Sequence, residues 1–162
     1  MKFFRKRIIS NAERVPYLVR YTIFSCQWFG IFIHKILRSD DDRDLHDHPW
    51  NFWTLILKGG YAEETPLVNP PTWRDHLPKM ILKSRWCGPG TLIRHSAEDC
   101  HRLELRSNSP YNGDKCSDSS CRVCGFKPVW TLFIHGPRRR DWGFHTRDGW
   151  VQWEKYLEGR PQ

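Results

Sequence analysis

Apolar and polar residues alternate along most of this chain. In YLVRYTIFSCQ (17–27) and WFGIFIHKILRSD (28–40) the period is two, the signature of half-buried strands. In the second stretch Trp28, Phe32, His34 and Ile36 share one face, and Phe29, Ile31, Ile33 and Leu37 share the other. The charged run DDDRD then turns the chain. FWTLILKGGYAEE (52–64) predicts a third strand broken at Gly59-Gly60, and TPLVNPPTW (65–73) a proline-rich loop. KMILKSRW (79–86), TLIR, HRLELRS and PVWTLFIHG (128–136) predict further short strands, with CGPGT and HSAEDC as connectors. GWVQWEKYLEGR (149–160) predicts a C-terminal helix that Gly159 could stop, and residues 3–13 are a second, short helix candidate. Short strands separated by Gly/Pro turns predict an all-β antiparallel sandwich or barrel. One stretch breaks the rhythm. NSPYNGDKCSDSSCRVCGFK (108–127) is polar, turn-rich and too long for a hairpin loop, so it reads as an insertion.

The length, 162 residues, predicts a single domain, and an aromatic share of 14% can fill its core. No apolar run suits a membrane helix and the start, MKFFRKRIIS, lacks the pattern of a secretion signal, so a cytoplasmic protein is expected. The formal charge of +8 suggests an anionic partner such as a small acid, a nucleotide or nucleic acid, although a solvated basic surface is an equal alternative. Basic residues gather in FRKR and in GPRRRDWGF. Six cysteines without an export signal argue against a disulfide framework. Cys26, Cys87 and Cys100 read as small buried side chains.

The histidines carry the candidate chemistry. His46 and His48 are two residues apart, so an extended chain points both the same way. His101 opens HRLELRS, where it shares a face with Leu103 and Leu105. His46, His48 and His101 could therefore converge inside a barrel as metal ligands; the alternative is that they only cap turns. His34 reads as a core or supporting histidine, His95 as a rim residue, and His135 and His145 as flanking the barrel mouth. Glu63, Glu64, Glu104 and Asp47 are low-ranking candidates for a general base.

At these residues the chain resembles the cupin superfamily. HDHPWNFWTLILKGG is similar to the first cupin motif, His-x-His followed by a glycine, and GPGTLIRHSAEDCHRLEL to the second. LRSDDDRDLHDHPWNF, HRLEL and WTLFIHGPRRRDWGF also resemble small cupin-like proteins common in bacteriophage genomes. The resemblance implies a jelly-roll barrel over residues 1–162 with 108–127 inserted, and a divalent metal (iron, zinc, manganese or nickel) on His46, His48 and His101. It also implies a mild tendency to form homodimers. The chain departs from the pattern where cupins usually carry a glutamate ligand: Phe52 and Trp53 stand there. Three imidazoles remain, an arrangement that some metal-dependent cupin oxygenases use, and Asp47 or His34 could join them.

Cys116, Cys121 and Cys124 have the C-x4-C-x2-C spacing of a structural zinc loop with no evident fourth ligand. His34, Trp53, Arg138, Arg140 and Trp142 are the candidates for binding a small anion, since arginine forks suit carboxylates and phosphates. The arginines could equally pair with the acidic turn. Three functions follow: a metal-dependent enzyme of oxygenase, hydrolase or isomerase type acting on a small anionic substrate; a non-catalytic small-molecule or nucleotide-binding barrel, of phage counter-defence type; or a basic protein with weak nucleic-acid binding.

Overall fold

The computed structural model describes residues 1–10, 15–40, 44–67, 82–106 and 127–158. In chain order they form β1 (Lys2–Ser10), β2 (Pro16–Ser25), β3 (Gly30–Ile36), β4 (Leu45–His46), β5 (Phe52–Lys58), β6 (Tyr61–Pro66), β7 (Leu82–Cys87), β8 (Leu92–His95), β9 (Arg102–Leu105), β10 (Val129–His135), β11 (Gly143–Thr146), β12 (Gly149–Gln152) and α1 (Trp153–Glu158). One layer is an antiparallel six-stranded sheet in the order β1-β2-β3-β10-β5-β8. The other holds two three-stranded sheets, β12-β11-β4 and β7-β6-β9. A reciprocal backbone bridge joins these two: His46 N donates to His101 O at 3.0 Å, and His101 N to His46 O at 2.9 Å. The result is an antiparallel jelly roll whose second layer is stitched together at two of the candidate ligands.

The alternation read in the sequence explains the core. Leu18, Ile36, Ile56, Ile93 and Val129 from the first layer bury against Tyr61, Cys87 and Leu105 from the second. Burying each large aliphatic side chain contributes about 1.5–3 kcal/mol. A smaller group, Phe32, Phe52 and Phe133, packs separately with Trp50 against it. The chain crosses between layers at Gly59-Gly60. Gly59 has φ +81°, and a Cβ there would also lie 2.9 Å from Pro128 O. This sharp crossing sends β6 into the second layer, with Tyr61 and Glu63 facing inward.

Several expectations change. The helix candidate over residues 3–13 gives way to a strand: Lys2–Ser10 pairs with β2, because Arg7, Ile8 and Ile9 meet Arg20, Val19 and Leu18 strand to strand. The helix predicted over 149–160 is reduced to Trp153–Glu158, since Gly149–Gln152 pairs with β11. The strands HRLELRS and PVWTLFIHG lie in different layers. β9 pairs with β6, whereas β10 lies between β3 and β5. Lys127 N donates to Arg106 O at 3.3 Å where the inserted stretch leaves and rejoins the body. Cys116, Cys121 and Cys124, and with them the expected zinc loop, lie outside the described residues. Cys87 and Cys100 are buried and reduced, as the sequence suggests; Cys26 is only half-buried.

Candidate metal centre

Backbone pairing sets the site. His46 and His101 face each other across the bridge, so their side chains leave the sheet on the same side. His48, two residues on, points the same way. Ring centroids lie 5.0 Å apart for His46–His48, 5.0 Å for His46–His101 and 5.1 Å for His48–His101, a nearly equilateral triangle. Nε2 of His48 is 3.0 Å from Nε2 of His101, and one nitrogen from each of the three rings falls within 4.8 Å of the others. Two nitrogens each about 2.1 Å from one ion, at a right angle, would be about 3.0 Å apart. Burial lowers the pKa of His46 to about 4; Asp40 opposes the shift and His101 adds to it. Burial, then His46 and His101, push His48 well below its ordinary value. At neutral pH both rings keep the lone pairs that a metal needs.

The carboxylate absent from positions 52 and 53 arrives from β6. Glu63 is buried, and its Oε1 accepts hydrogen bonds from His101 Nδ1 at 2.9 Å and His95 Nε2 at 2.8 Å. Its Oε2 accepts from Arg85 Nη2 at 3.0 Å. Burial alone would raise the Glu63 pKa, but the bonds from His101 and His95 overcome it and hold the group well below the usual carboxylate range. Committing His101 Nδ1–H to a carboxylate leaves Nε2 as the lone-pair nitrogen, turned toward His48. Glu63, His95 and His101 are also close enough to hold a metal. In that group, however, Glu63 already accepts from both histidines and from Arg85, and its metal-facing role would break this support of His101. His95 is therefore no rim residue. It ends β8, is buried, and belongs to the support of the site.

The other sequence candidates separate. Trp53 is 41% exposed on the outer face of β5, beneath Arg94, because Phe52 and Thr54 take the inward positions. It does not bind a ligand inside the barrel. Arg138 is exposed and paired with exposed Asp141, so it too faces solvent. Arg140 reaches inward, but to Asp47 Oδ2 (3.2 Å) and Ala97 O (3.3 Å). Trp142 stacks on Trp153 at 5.5 Å and presents its ring 6.4 Å from His46, so it borders the triangle. Asp47 is fully buried and accepts from Gly143 N, Trp150 Nε1 and His145 Nε2, which makes it a structural node, neither ligand nor base. That also places His145 away from the mouth. His135 stacks on Trp50 at 4.2 Å.

His34 is buried and stacked on Phe133 at 4.8 Å, outside both histidine groups. It accepts a hydrogen bond from Arg20 Nε at 3.1 Å. Sequence reasoning passed over Arg20. Its signal was parity, since it shares the inward face of β2 with Leu18 and Thr22. Burial, then Arg20 and His135, lower the His34 pKa to about 3. The unfolded chain therefore takes up this proton first. Folding is penalised progressively as the pH falls from about 6.5 toward 3, at up to about 1.4 kcal/mol per pH unit. Denaturant midpoints measured across that range should show a shallower pH slope for His34→Gln than for the wild type. Equal slopes would contradict the assignment.

No protein-family model and no curated protein matches the sequence. Solved structures do. HppE in its iron(II) form aligns at TM-score 0.50 and 10% identity, over 81% of this chain and 56% of its own. Oxalate decarboxylase from Lactobacillus farciminis, in a formate complex, aligns at TM-score 0.51 and 9% identity, over 97% of this chain and 36% of its own. A cupin superfamily protein from Desulfitobacterium hafniense aligns at TM-score 0.45 and 11% identity, over 85% of this chain and 96% of its own. The chain shares their jelly-roll fold. It spans only about half or less of the first two structures, and at these identities the likeness concerns fold. Within this fold, the three histidines sit at the place where the two second-layer sheets meet. Among the described residues no helix is long and apolar enough to cross a membrane.

Proposed function

We propose that this jelly-roll barrel holds one divalent metal ion on His46, His48 and His101 and acts as a metal-dependent enzyme on a small anionic substrate. The observation that carries the reading is the triangle of imidazoles, with Glu63 fixing the tautomer of His101. The donor set fits: three neutral imidazole ligands suit iron, zinc or nickel better than manganese, which prefers oxygen ligands, and they leave coordination positions for substrate and water. A bound ion would supply Lewis-acid polarisation of a substrate oxygen. The chain's own residues do the rest. Phe52 lies 4.6 Å from His48 and packs on Phe133, keeping water from that side of the rings. Arg85 and His95 hold Glu63, and Glu63 holds His101.

The test is the metal content of the purified protein in a Cys121→Ser/Cys124→Ser background, so that ions held by the cysteines are not counted. One equivalent is expected, and His46→Ala/His48→Ala should remove it. A protein that takes up no metal, or a double variant that keeps it, overturns the reading.

A further inference from the structure

The cross-strand register of β1 and β2 places Arg7 directly opposite Arg20. Ile9, on the same face of β1, packs against the core and stands opposite Leu18, so exposed Arg7 extends the inward face of β2 toward solvent. Two like charges directly opposed in an antiparallel pair are unfavourable. Among the described residues neither arginine is paired with an acid. Burial, then the charge of Arg7, lower the pKa of Arg20 from its ordinary value. The arrangement sets two like charges side by side, which a bound anion would neutralise.

Arg20 is also pre-set for an anion. Its Nε–H is committed to His34, which is buried and itself stacked on Phe133. Its guanidinium carbon lies 5.0 Å from the centroid of the Phe32 ring, which fixes the plane of the fork. The two terminal nitrogens remain for a ligand, and the positive charge of Arg20 is felt at His34, His135 and His48. One fork would satisfy a carboxylate. With a second fork from Arg7, the pair would offer more donors than a carboxylate's two oxygens can use and would match a tetrahedral dianion.

We propose that Arg7 and Arg20 form a binding site for the dianionic head of a phosphate monoester or phosphonate, held on the face that β1 and β2 share. This deepens the reading that the barrel takes a small anion, and it does not require the metal. Such a ligand is gripped at one end by guanidinium groups on the first layer, while the imidazole triangle belongs to the second.

Inorganic phosphate is the probe, titrated calorimetrically into the full chain. Wild type should bind it. Arg7→Gln, a change at an exposed position that leaves the fold intact, should weaken binding about tenfold, and Arg20→Gln should abolish it. Arg20→Lys, which keeps the charge and loses the fork, should fall between them. The His46→Ala/His48→Ala protein should bind phosphate as the wild type does, so loss of the metal reading leaves this one standing. Equal phosphate affinity in wild type and Arg7→Gln overturns the site. So does acetate binding as tightly as phosphate, and so does phosphate binding lost only in the histidine variant, which would put the anion on the metal.

Discussion

Glu63→Gln is expected to weaken metal binding by about 10- to 100-fold while leaving all three ligands in place. The carboxylate faces donors only: His101 and His95 on Oε1, and Arg85 on Oε2. An amide can keep its oxygen toward the two histidines, but its NH2 group then meets the Arg85 guanidinium, donor against donor. His101 loses the charged partner that raises the basicity of its Nε2. The same change should cost about 1–3 kcal/mol of folding stability, because buried His95 and His101 lose a charged acceptor, while half-exposed Arg85 can turn to solvent. The pH dependence has a definite sign. The folded pKa of Glu63 lies below its ordinary 4.5. Its stabilisation is therefore complete above about pH 4.5 and is lost as the pH falls through the acid range. Metal titrations of the variant, with urea melts at pH 7 and pH 4, check both parts. The stability gap between wild type and variant should narrow at the lower pH. Unchanged metal affinity would remove Glu63 from the centre.

The sequence made the triangle legible through parity alone. His46 and His48 are two apart, and His101 begins a run whose leucines point inward. Strand geometry converts such spacing directly into shared faces. Glu63 was harder to see because Glu64 follows it, and an adjacent acidic pair reads as solvent-facing. Only the register separates the two: Glu64 sits opposite Arg102 and takes its hydrogen bond at 2.9 Å, which leaves Glu63 to the interior. Arg20 was hidden for the opposite reason. Arg138–Arg140 drew attention because they cluster, whereas a single arginine at an inward position carries more information about a site. Trp53 shows how strict parity is, since one step from the buried Phe52 puts it on the outside. Pairings between distant segments, such as β9 with β6, are set by the closing of the two layers and leave no local mark in the sequence.

Asp47→Ala is expected to be the most destabilising substitution in the molecule. Its side chain is fully buried, and every group that touches it is a donor: Gly143 N at 2.7 Å on Oδ1, then Trp150 Nε1 at 2.9 Å, His145 Nε2 at 3.2 Å and Arg140 Nη2 at 3.2 Å on Oδ2. Removing the acceptor strands all four, including a guanidinium, at a cost of about 3–5 kcal/mol. For a domain of this length that lowers Tm by about 10 °C. Asp47→Asn is not a mild version. With its oxygen kept toward the three side chains, its NH2 opposes the Gly143 N–H, so it too should lose about 1–3 kcal/mol. The consequence reaches the metal centre, because Asp47 lies between His46 and His48 and its own N–H donates to Gly143 O at 3.0 Å. The node clamps the short segment that carries two of the three ligands onto β11. Thermal melts with and without added divalent metal test this directly. Metal should raise the Tm of the wild type far more than that of either variant. An Asp47→Ala protein that melts with the wild type, or gains as much from metal, would show that the triangle is held by the His46–His101 bridge alone.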